Sequence, residues 1–124
     1  LHTGDSRYDY SNPNRLIPIL NIYDKMVVVG AHFGGWSMWE EASHLLADQK
    51  NFYVDCSSAF YALSDDKIRE IIARYGVDRV LFGTDYPMWN VDTEVKRFMS
   101  LGYGKEDADK ILYKNAVKVY GLEL

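Results

Sequence analysis

The sequence contains little cysteine, no long apolar run and no excess of basic charge. Its 124 residues include one cysteine, Cys56, which has no partner for an internal disulfide. No apolar run approaches the roughly 20 residues that cross a bilayer. The formal net charge of −4 argues against a surface for nucleic acid or anionic membrane, because both need clustered lysine and arginine. Together these absences predict a cytoplasmic protein without a nucleic-acid or membrane partner.

The start of the chain lacks both a methionine and a signal peptide. It begins Leu1-His2-Thr3, which is polar within two residues. His2 also comes with no strand before it to hold its side chain. We therefore expect residues 1–124 to form a single domain that is a fragment of a longer protein.

Three apolar segments predict strands. The first, residues 26–31, is a continuous apolar run of the kind found in strands that are covered on both faces. Residues 51–56 and 78–82 are the other two candidates, rich in β-branched and aromatic side chains. Their alternation with amphipathic segments predicts βαβ units and a parallel sheet. The segments that predict helices are residues 37–47, 64–76, 91–102 and 105–120.

A further helix is predicted ahead of the first strand. Leu16, Ile19, Leu20 and Tyr23 have the spacing of one apolar helix face. Pro18 would remove a hydrogen bond from the helix interior, so we expect this helix to begin late or to kink.

Polar side chains follow each predicted strand. His32 ends the first strand, Asp55 and Ser57 end the second, and Asp85 follows the third, while His2 would end a strand whose body is missing. Because parallel strands place their carboxyl ends on one rim, we expect these side chains to converge. Two imidazoles and a carboxylate are suitable ligands for Zn²⁺, Mn²⁺ or Fe²⁺, and a carboxylate beside a metal-bound water can take its proton.

Plainer interpretations fit the same residues. A histidine after a strand is more often structural, and an aspartate there is often the N-cap of the next helix. Gly34 and Gly35 would let substrate or backbone approach closely behind His32. The same two glycines are also compatible with a phosphate-binding turn in an open doubly wound sheet. Spacing alone therefore leaves a metal site, a structural role and an anion site open.

Two motifs resemble the signatures of one enzyme family. Residues 31–36, Ala-His-Phe-Gly-Gly-Trp, and residues 81–88, Leu-Phe-Gly-Thr-Asp-Tyr-Pro-Met, look like the strand-6 and strand-8 signatures of the amidohydrolase-related (amidohydrolase 2) family. Residues 2–5, 53–58 and 111–116 resemble the ends of its strands 5 and 7 and its closing helix. The resemblance covers essentially the whole chain in order. It implies an α/β fold, a parallel half-barrel that forms the C-terminal part (about strands 5/6 to 8) of a TIM (β/α)₈ barrel.

The resemblance also implies roles for site residues. His2 resembles the strand-5 histidine that ligates a metal, and His32 resembles the strand-6 histidine that contacts substrate or the metal-bound water. Asp85 resembles the strand-8 aspartate that ligates the metal and serves as general base. These positions imply a catalytic pair of His32 and Asp85 and a divalent metal, zinc before manganese or iron, on His2 and Asp85. The residues that are expected to bind substrate are Trp36, Asp55, Ser57, Tyr86, Met88 and Trp89.

The chain departs from the family where the family holds its metal. The His-x-His pair of strand 1 supplies two metal ligands, and this sequence contains no His-x-His. Nothing in it corresponds to strands 1 to 4 either. We therefore expect an incomplete metal site and exposed half-barrel edges through which copies of the chain form a homo-oligomer.

Three functions remain in competition. The resemblance implies first a hydrolase, in which a metal-activated water attacks an amide, ester or lactone of a small molecule. The same constellation implies as an alternative a non-oxidative decarboxylase or hydratase of a small carboxylic acid. The missing strands leave a non-catalytic half-barrel module as the third.

Other polar residues receive structural interpretations. Ser57 and Ser58 have no histidine and aspartate near them in a triad-like sequence pattern, which argues against a serine hydrolase. Cys56 is expected to be a small core residue. Asp78 and Arg79 are expected to form a structural ion pair.

Overall fold

The computed structural model describes residues 1–123 and contains a parallel sheet of three strands with helices between them. The strands are β1 (Val28–Gly30), β2 (Phe52–Asp55) and β3 (Val80–Leu81), in the spatial order β1-β2-β3. Each strand lies inside its predicted segment and is shorter at both ends. The predicted strands and their parallel arrangement are thus confirmed.

The helices follow the predicted alternation. A 3₁₀ turn at Val77–Arg79 leads into β3 and explains why that strand begins late. The third predicted helix has the expected ends, because the Ser64 hydroxyl accepts from the Lys67 amide and Gly76 follows the last turn with φ of 88°. The helical elements are α1 (Leu16–Ile22), α2 (Trp39–Leu46), α3 (Asp65–Tyr75), α4 (Val91–Met99), α5 (Lys105–Asp109), a π-helical turn (Lys110–Lys114) and α6 (Asn115–Tyr120).

The first helix differs from its predicted apolar face. It begins at Leu16, after a 3₁₀ turn, so Pro18 lies in the first turn, where backbone N–H groups lack helical partners. The predicted late start is confirmed. Leu20 is buried, but Ile19 and Tyr23 are exposed. The prediction of one inward apolar face was therefore wrong in part, because only the Leu20 side of this short helix reaches the core.

The core lies between the sheet and helices α2 and α3. Phe52 and Val54 of β2 are fully buried and pack in one cluster with Ile68 and Ile72 of α3. Burial on this scale is the main source of stability in a small domain. None of the helices in residues 1–123 is long and apolar enough to cross a membrane.

The ion pair expected between Asp78 and Arg79 does not form. The Asp78 carboxylate pairs with Lys110 Nζ at 3.1 Å. The Arg79 guanidinium donates instead to the backbone carbonyls of Ala47, Gln49 and Tyr75. Neighbours in an extended or 3₁₀ segment point apart, so each side chain binds what lies on its own side.

Candidate functional site

The first residues of the chain run beside the end of β1 and place His2 there. The N-terminal ammonium of Leu1 donates to the Val29 carbonyl at 2.9 Å, and the Ala31 amide donates to the Leu1 carbonyl at 2.8 Å. This pairing brings the exposed His2 ring against the His32 ring, with centroids 4.9 Å apart and planes at 76°. The two histidines that were predicted to converge are therefore in contact.

The turn that follows β1 has an unusual backbone. His32, Phe33 and Gly34 all have positive φ, at 56°, 53° and 79°. Two non-glycine residues in this region are costly and persist only when their surroundings hold them. Two buried hydroxyls do so: Tyr75 donates to the Phe33 carbonyl at 2.9 Å, and Thr3 donates to the Gly34 carbonyl at 2.6 Å.

The glycines of this turn admit protein side chains, which corrects one sequence expectation. A Cβ on Gly34 would lie 3.0 Å from the Tyr75 hydroxyl, and one on Gly35 would lie 2.8 Å from the Ala42 Cβ and 2.9 Å from Pro13 Cγ. Substrate or backbone was expected to occupy this space. The close approach is instead made by side chains of the core.

Asp55 and Ser57 join His32 in one hydrogen-bonded group. The Asp55 Oδ1 atom accepts from the backbone amides of His32 and Ser57, at 3.1 and 3.0 Å, and from the Ser57 hydroxyl. His32 Nδ1 lies 2.9 Å from Ser57 Oγ and 3.0 Å from the Ser57 carbonyl oxygen. The structure thus brings His32 against an aspartate and a serine that follow it by 23 and 25 positions in the sequence.

This group is not the triad of a serine hydrolase. In a triad the carboxylate binds one ring nitrogen while the serine hydroxyl donates to the other. Here the Asp55 carboxylate binds the Ser57 hydroxyl, and both serine oxygens face the same nitrogen, Nδ1 of His32. The hydroxyl proton is directed away from the ring, so the arrangement does not activate Ser57 as a nucleophile.

Asp85 lies in a second group after β3. It has φ of 58°, is exposed, and its Oδ2 atom accepts from the Ser58 hydroxyl at 2.7 Å. The Trp89 indole N–H donates to the same hydroxyl oxygen at 2.9 Å, and the Trp89 ring stacks on Tyr61 with centroids 5.0 Å apart. Because Ser57 and Ser58 are consecutive, the His32 and Asp85 groups occupy neighbouring positions on one rim.

The remaining predicted substrate contacts differ in their environment. Trp36 is half-buried, and the Arg7 guanidinium lies 5.8 Å from its ring centroid. Tyr86 and Met88 are 76% and 69% exposed. The structure therefore brings Asp55, Ser57 and Trp89 into the two groups and leaves Tyr86 and Met88 facing solvent, so their role in binding stays a prediction.

The metal donors of the described chain do not form a complete set. Within residues 1–123, no group of three or more histidine, cysteine, aspartate or glutamate side chains is arranged to hold a metal ion. Asp85 is turned toward Ser58, and His2 is turned toward His32. These residues alone do not fit a mononuclear site, which needs three or more protein ligands.

Several residues of the site carried little signal in the sequence. Ser58 and Tyr61 hold Trp89, and Tyr75 fixes the strained turn from a helix more than 40 positions away. Burial raises the pKa of Tyr75, so its hydroxyl stays protonated and remains a donor. Burial also raises the pKa of the Cys56 thiol to about 12, which agrees with its interpretation as an inert core residue.

Comparison with known protein families supports the resemblance drawn from the motifs. The model of the amidohydrolase family matches residues 1–122. The match therefore spans both turns that carry His32 and Asp85. Among curated proteins, none matches the sequence.

Solved structures share the fold. An uncharacterized TIM-barrel protein from Bordetella bronchiseptica is 27% identical, with a TM-score of 0.79 over 97% of this chain and 44% of that chain. A dihydroxybenzoic acid decarboxylase from Polaromonas sp. JS666, with bound manganese and the inhibitor 2-nitroresorcinol, is 23% identical, with a TM-score of 0.70 over 89% of this chain and 39% of that one. An amidohydrolase from Burkholderia multivorans with bound zinc is 17% identical, with a TM-score of 0.64 over 89% of this chain and 50% of that one.

These comparisons confirm the predicted architecture. The chain spans half or less of the length of each of these structures. Its parallel sheet and helices are a part of a TIM barrel. Identities of 23% and 17% carry the fold alone, so the activities of those two proteins are not transferred with it.

Proposed function

The chain belongs to the amidohydrolase family, and from this premise we propose that it is the C-terminal part of a metal-dependent hydrolase. In this proposal a metal-activated water attacks an amide, ester or lactone of a small molecule. The metal is divalent, with zinc preferred over manganese. The ligands that this chain lacks come from the part of the barrel that the longer relatives possess.

The observation that carries the proposal is the grouping of acid–base side chains at adjacent strand ends. The His2 and His32 rings are in contact, and Asp85 is hydrogen-bonded to the serine that follows Ser57. In TIM-barrel enzymes the chemistry lies at the carboxyl ends of the strands. This rim is therefore where a reaction would take place.

Asp85 is the proposed general base. Its Oδ2 atom accepts from Ser58, while Oδ1 has no hydrogen-bond partner among residues 1–123 and the side chain is exposed. One carboxylate oxygen is thus positioned by the protein and the other is free to accept a proton. A divalent metal at such a site supplies a water whose pKa is lowered toward neutrality. His32 is proposed to bind the substrate.

A decarboxylase is the second candidate. The observation that favours it is the similarity to a dihydroxybenzoic acid decarboxylase, which binds manganese and an aromatic inhibitor. Non-oxidative decarboxylation of an aromatic acid would use the same rim, with Asp85 holding the proton that is exchanged. The aromatic residues after β3, the exposed Tyr86 and the half-buried Trp89, would suit a planar substrate.

The intact parent protein that contains this chain can separate the candidates. We expect it to cleave members of a panel of lactones, esters and amides, and Asp85→Asn to lower kcat by at least about 100-fold, the usual contribution of a general base. Asp92→Asn, an exposed carboxylate in the first turn of α4, is the matched control and should leave kcat unchanged.

The contrary outcomes are distinct. Carbon dioxide release from hydroxybenzoic acids, without cleavage of any lactone, ester or amide, would overturn the hydrolase and favour the decarboxylase. A parent protein without either activity would favour the non-catalytic module. Stoichiometric zinc on the 124-residue chain alone, lost in Asp85→Ala, would contradict the incomplete site.

A further inference from the structure

Asp55 and Ser57 surround one nitrogen of His32 in a way that determines where its proton lies. Asp55 Oδ1 accepts from two backbone amides, so this oxygen is an acceptor and cannot donate. The Ser57 hydroxyl must then supply the proton of the short contact between Ser57 Oγ and Asp55 Oδ1. Its single proton is used there, and Ser57 Oγ can only accept from the imidazole.

The second partner of the ring leads to the same assignment. His32 Nδ1 also lies 3.0 Å from the Ser57 backbone carbonyl, which has no proton to donate. Both oxygen atoms that face Nδ1 are therefore acceptors, and the neutral ring must carry its proton on Nδ1. The other nitrogen, Nε2, then has a free lone pair on the opposite side of the ring from Ser57.

The free nitrogen is not sealed in the core. His32 is 6% exposed, and the buried side-chain nitrogen and oxygen atoms that lack a partner within residues 1–123 are limited to Trp39 Nε1. Since Nε2 makes no hydrogen bond to the described residues and is not among those atoms, it retains part of the small solvent-accessible surface of His32. A substrate or water proton can reach it.

We infer that Asp55 and Ser57 are positioning residues that hold neutral His32 as its Nδ1–H tautomer and present the Nε2 lone pair to a proton-donating group of the substrate. This inference rests on the proposed function for the identity of what meets Nε2. The substrate class that it selects bears a hydroxyl or an amide N–H at that point, and a carbonyl oxygen there would find no donor.

Histidine-selective ¹⁵N NMR of the 124-residue chain tests the inference. At about pH 8 an ordinary imidazole is neutral, and the two tautomers give different ring nitrogen signals. We expect protonated Nδ1 and unprotonated Nε2 in His32. His44, exposed on α2, is the internal reference and should show the Nε2–H form that free histidine prefers.

Substitutions separate the contributions of the two positioning residues. Asp55→Asn retains an acceptor oxygen and should leave the His32 pattern unchanged. Asp55→Ala frees the Ser57 hydroxyl to donate to Nδ1, and we expect the Nε2–H fraction to rise by about 2- to 10-fold, the range that one hydrogen bond supplies. Adding Ser57→Ala to that variant removes the competing donor and should restore the Nδ1–H form.

Two results would overturn the inference. One is a dominant Nε2–H tautomer in the unaltered chain, and the other is an unchanged tautomer ratio in folded Asp55→Ala. If Asp55→Ala does not fold, exchange of the His32 Nδ1 proton with solvent is compared between Ser57→Ala and the unaltered chain. We expect faster exchange in Ser57→Ala, and an unchanged rate would refute the role of Ser57.

NMR determines the tautomer of His32 without an activity assay, so the outcomes remain separable from those of the proposed function. An Nδ1–H ring in an inactive parent protein would refute the proposed function alone. An Nε2–H ring in an active hydrolase would refute the inference alone.

Discussion

The two edges of the sheet are finished in different ways. At the β3 edge, the Asn115 amide group donates to the carbonyls of Val77 and Val80, both at 2.7 Å, and the Phe82 amide donates to the Ile111 carbonyl at 2.7 Å. The π-helical turn and α6 thus bind the Val80 carbonyl of that strand and backbone groups just before and just after it. Open strand edges are sites of association, and this one is closed by the protein itself.

The β1 edge is closed only at its carboxyl end. Leu1 pairs beside Val29 there, but Val27 is 54% exposed, and Ile19 on the neighbouring side of α1 is 45% exposed. An open groove of about 430 Å³ with an almost wholly apolar lining lies along this edge. Within this chain, the backbone at the β3 edge is bound by the chain's own groups, whereas the apolar groove along the β1 edge is left uncovered.

The largest expected effect of this contrast is on stability. Asn115→Ala leaves two backbone carbonyls at the β3 edge without a donor, and each such loss costs about 1–3 kcal/mol. We expect the free energy of unfolding to fall by about 2–4 kcal/mol in urea denaturation. The matched variant is Asn51→Ala, just before β2, where the side chain also donates to a backbone carbonyl, that of Asp24 in the loop that leads into β1, at 2.7 Å.

The Asn51 bond is exposed, so water can replace it, and we expect a loss below about 1 kcal/mol. Equal losses in the two variants would remove the distinction between a closed and an open edge. A larger loss in Asn51→Ala would reverse it.

The next effect concerns association. If the apolar β1 edge is the contact between copies, Val27→Lys should weaken dimerisation of the chain by about tenfold or more, because a desolvated charge opposes the contact. Its stability should change by no more than about 0.5 kcal/mol, since Val27 is exposed. Sedimentation equilibrium at several concentrations measures both the oligomeric state and the dissociation constant of the dimer.

Tyr120→Lys is the control for this variant, since Tyr120 is equally exposed but lies on α6, outside the β1 groove. Only Val27→Lys should weaken dimerisation. A chain that is monomeric throughout, or a response in both variants, would show that the β1 edge does not mediate association.

The smallest effect is a pH dependence near the start of the chain. The Arg7 guanidinium, through hydrogen bonds, lowers the pKa of the Asp5 carboxyl from 3.8 to about 2. The carboxylate form is favoured in the folded state, so this contribution is present above about pH 4 and is lost as the pH falls through 2. Both side chains are solvent-accessible, so the effect is small.

NMR titration of the Asp5 carboxyl checks the direction. Arg7→Gln should return the pKa toward 3.8, whereas Arg15→Gln, which removes the similar pair with Asp9, should not move it. A midpoint near 3.8 in the unaltered chain would contradict the pairing.

The sequence predicted the regular elements because their signals are local. Residues 51–56 and 64–76 carry strand composition, a cap and an apolar face within a few positions of each other, and β2 and α3 form there. The Ile19 and Tyr23 side of α1 was mispredicted because periodicity shows which side chains share a face and does not show whether anything covers it. Burial of that side of α1 would depend on tertiary contacts.

The sequence predicted where the site residues lie in the fold, but it did not predict which side chains they contact. His32, Asp55 and Asp85 could be placed on one rim from strand order alone. The partners that determine their chemistry, such as Ser58 for Asp85 and Tyr75 for the turn at His32, are separated from them by 27 to 43 positions. No local pattern in the sequence encodes such pairings. Residues 55–57 likewise make their contacts with His32 only once the chain has folded.

The closed β3 edge has a consequence for how copies of this chain could combine. A sheet with two open edges can add neighbours indefinitely, which produces filaments. A sheet with one open edge can be joined only once, so two β1 edges that meet leave nothing to extend. Asn115 and Ile111 therefore limit growth at the β3 edge. Two copies of this chain that meet through their β1 edges would form a closed pair, and a change such as Asn115→Ala would remove part of what limits further growth.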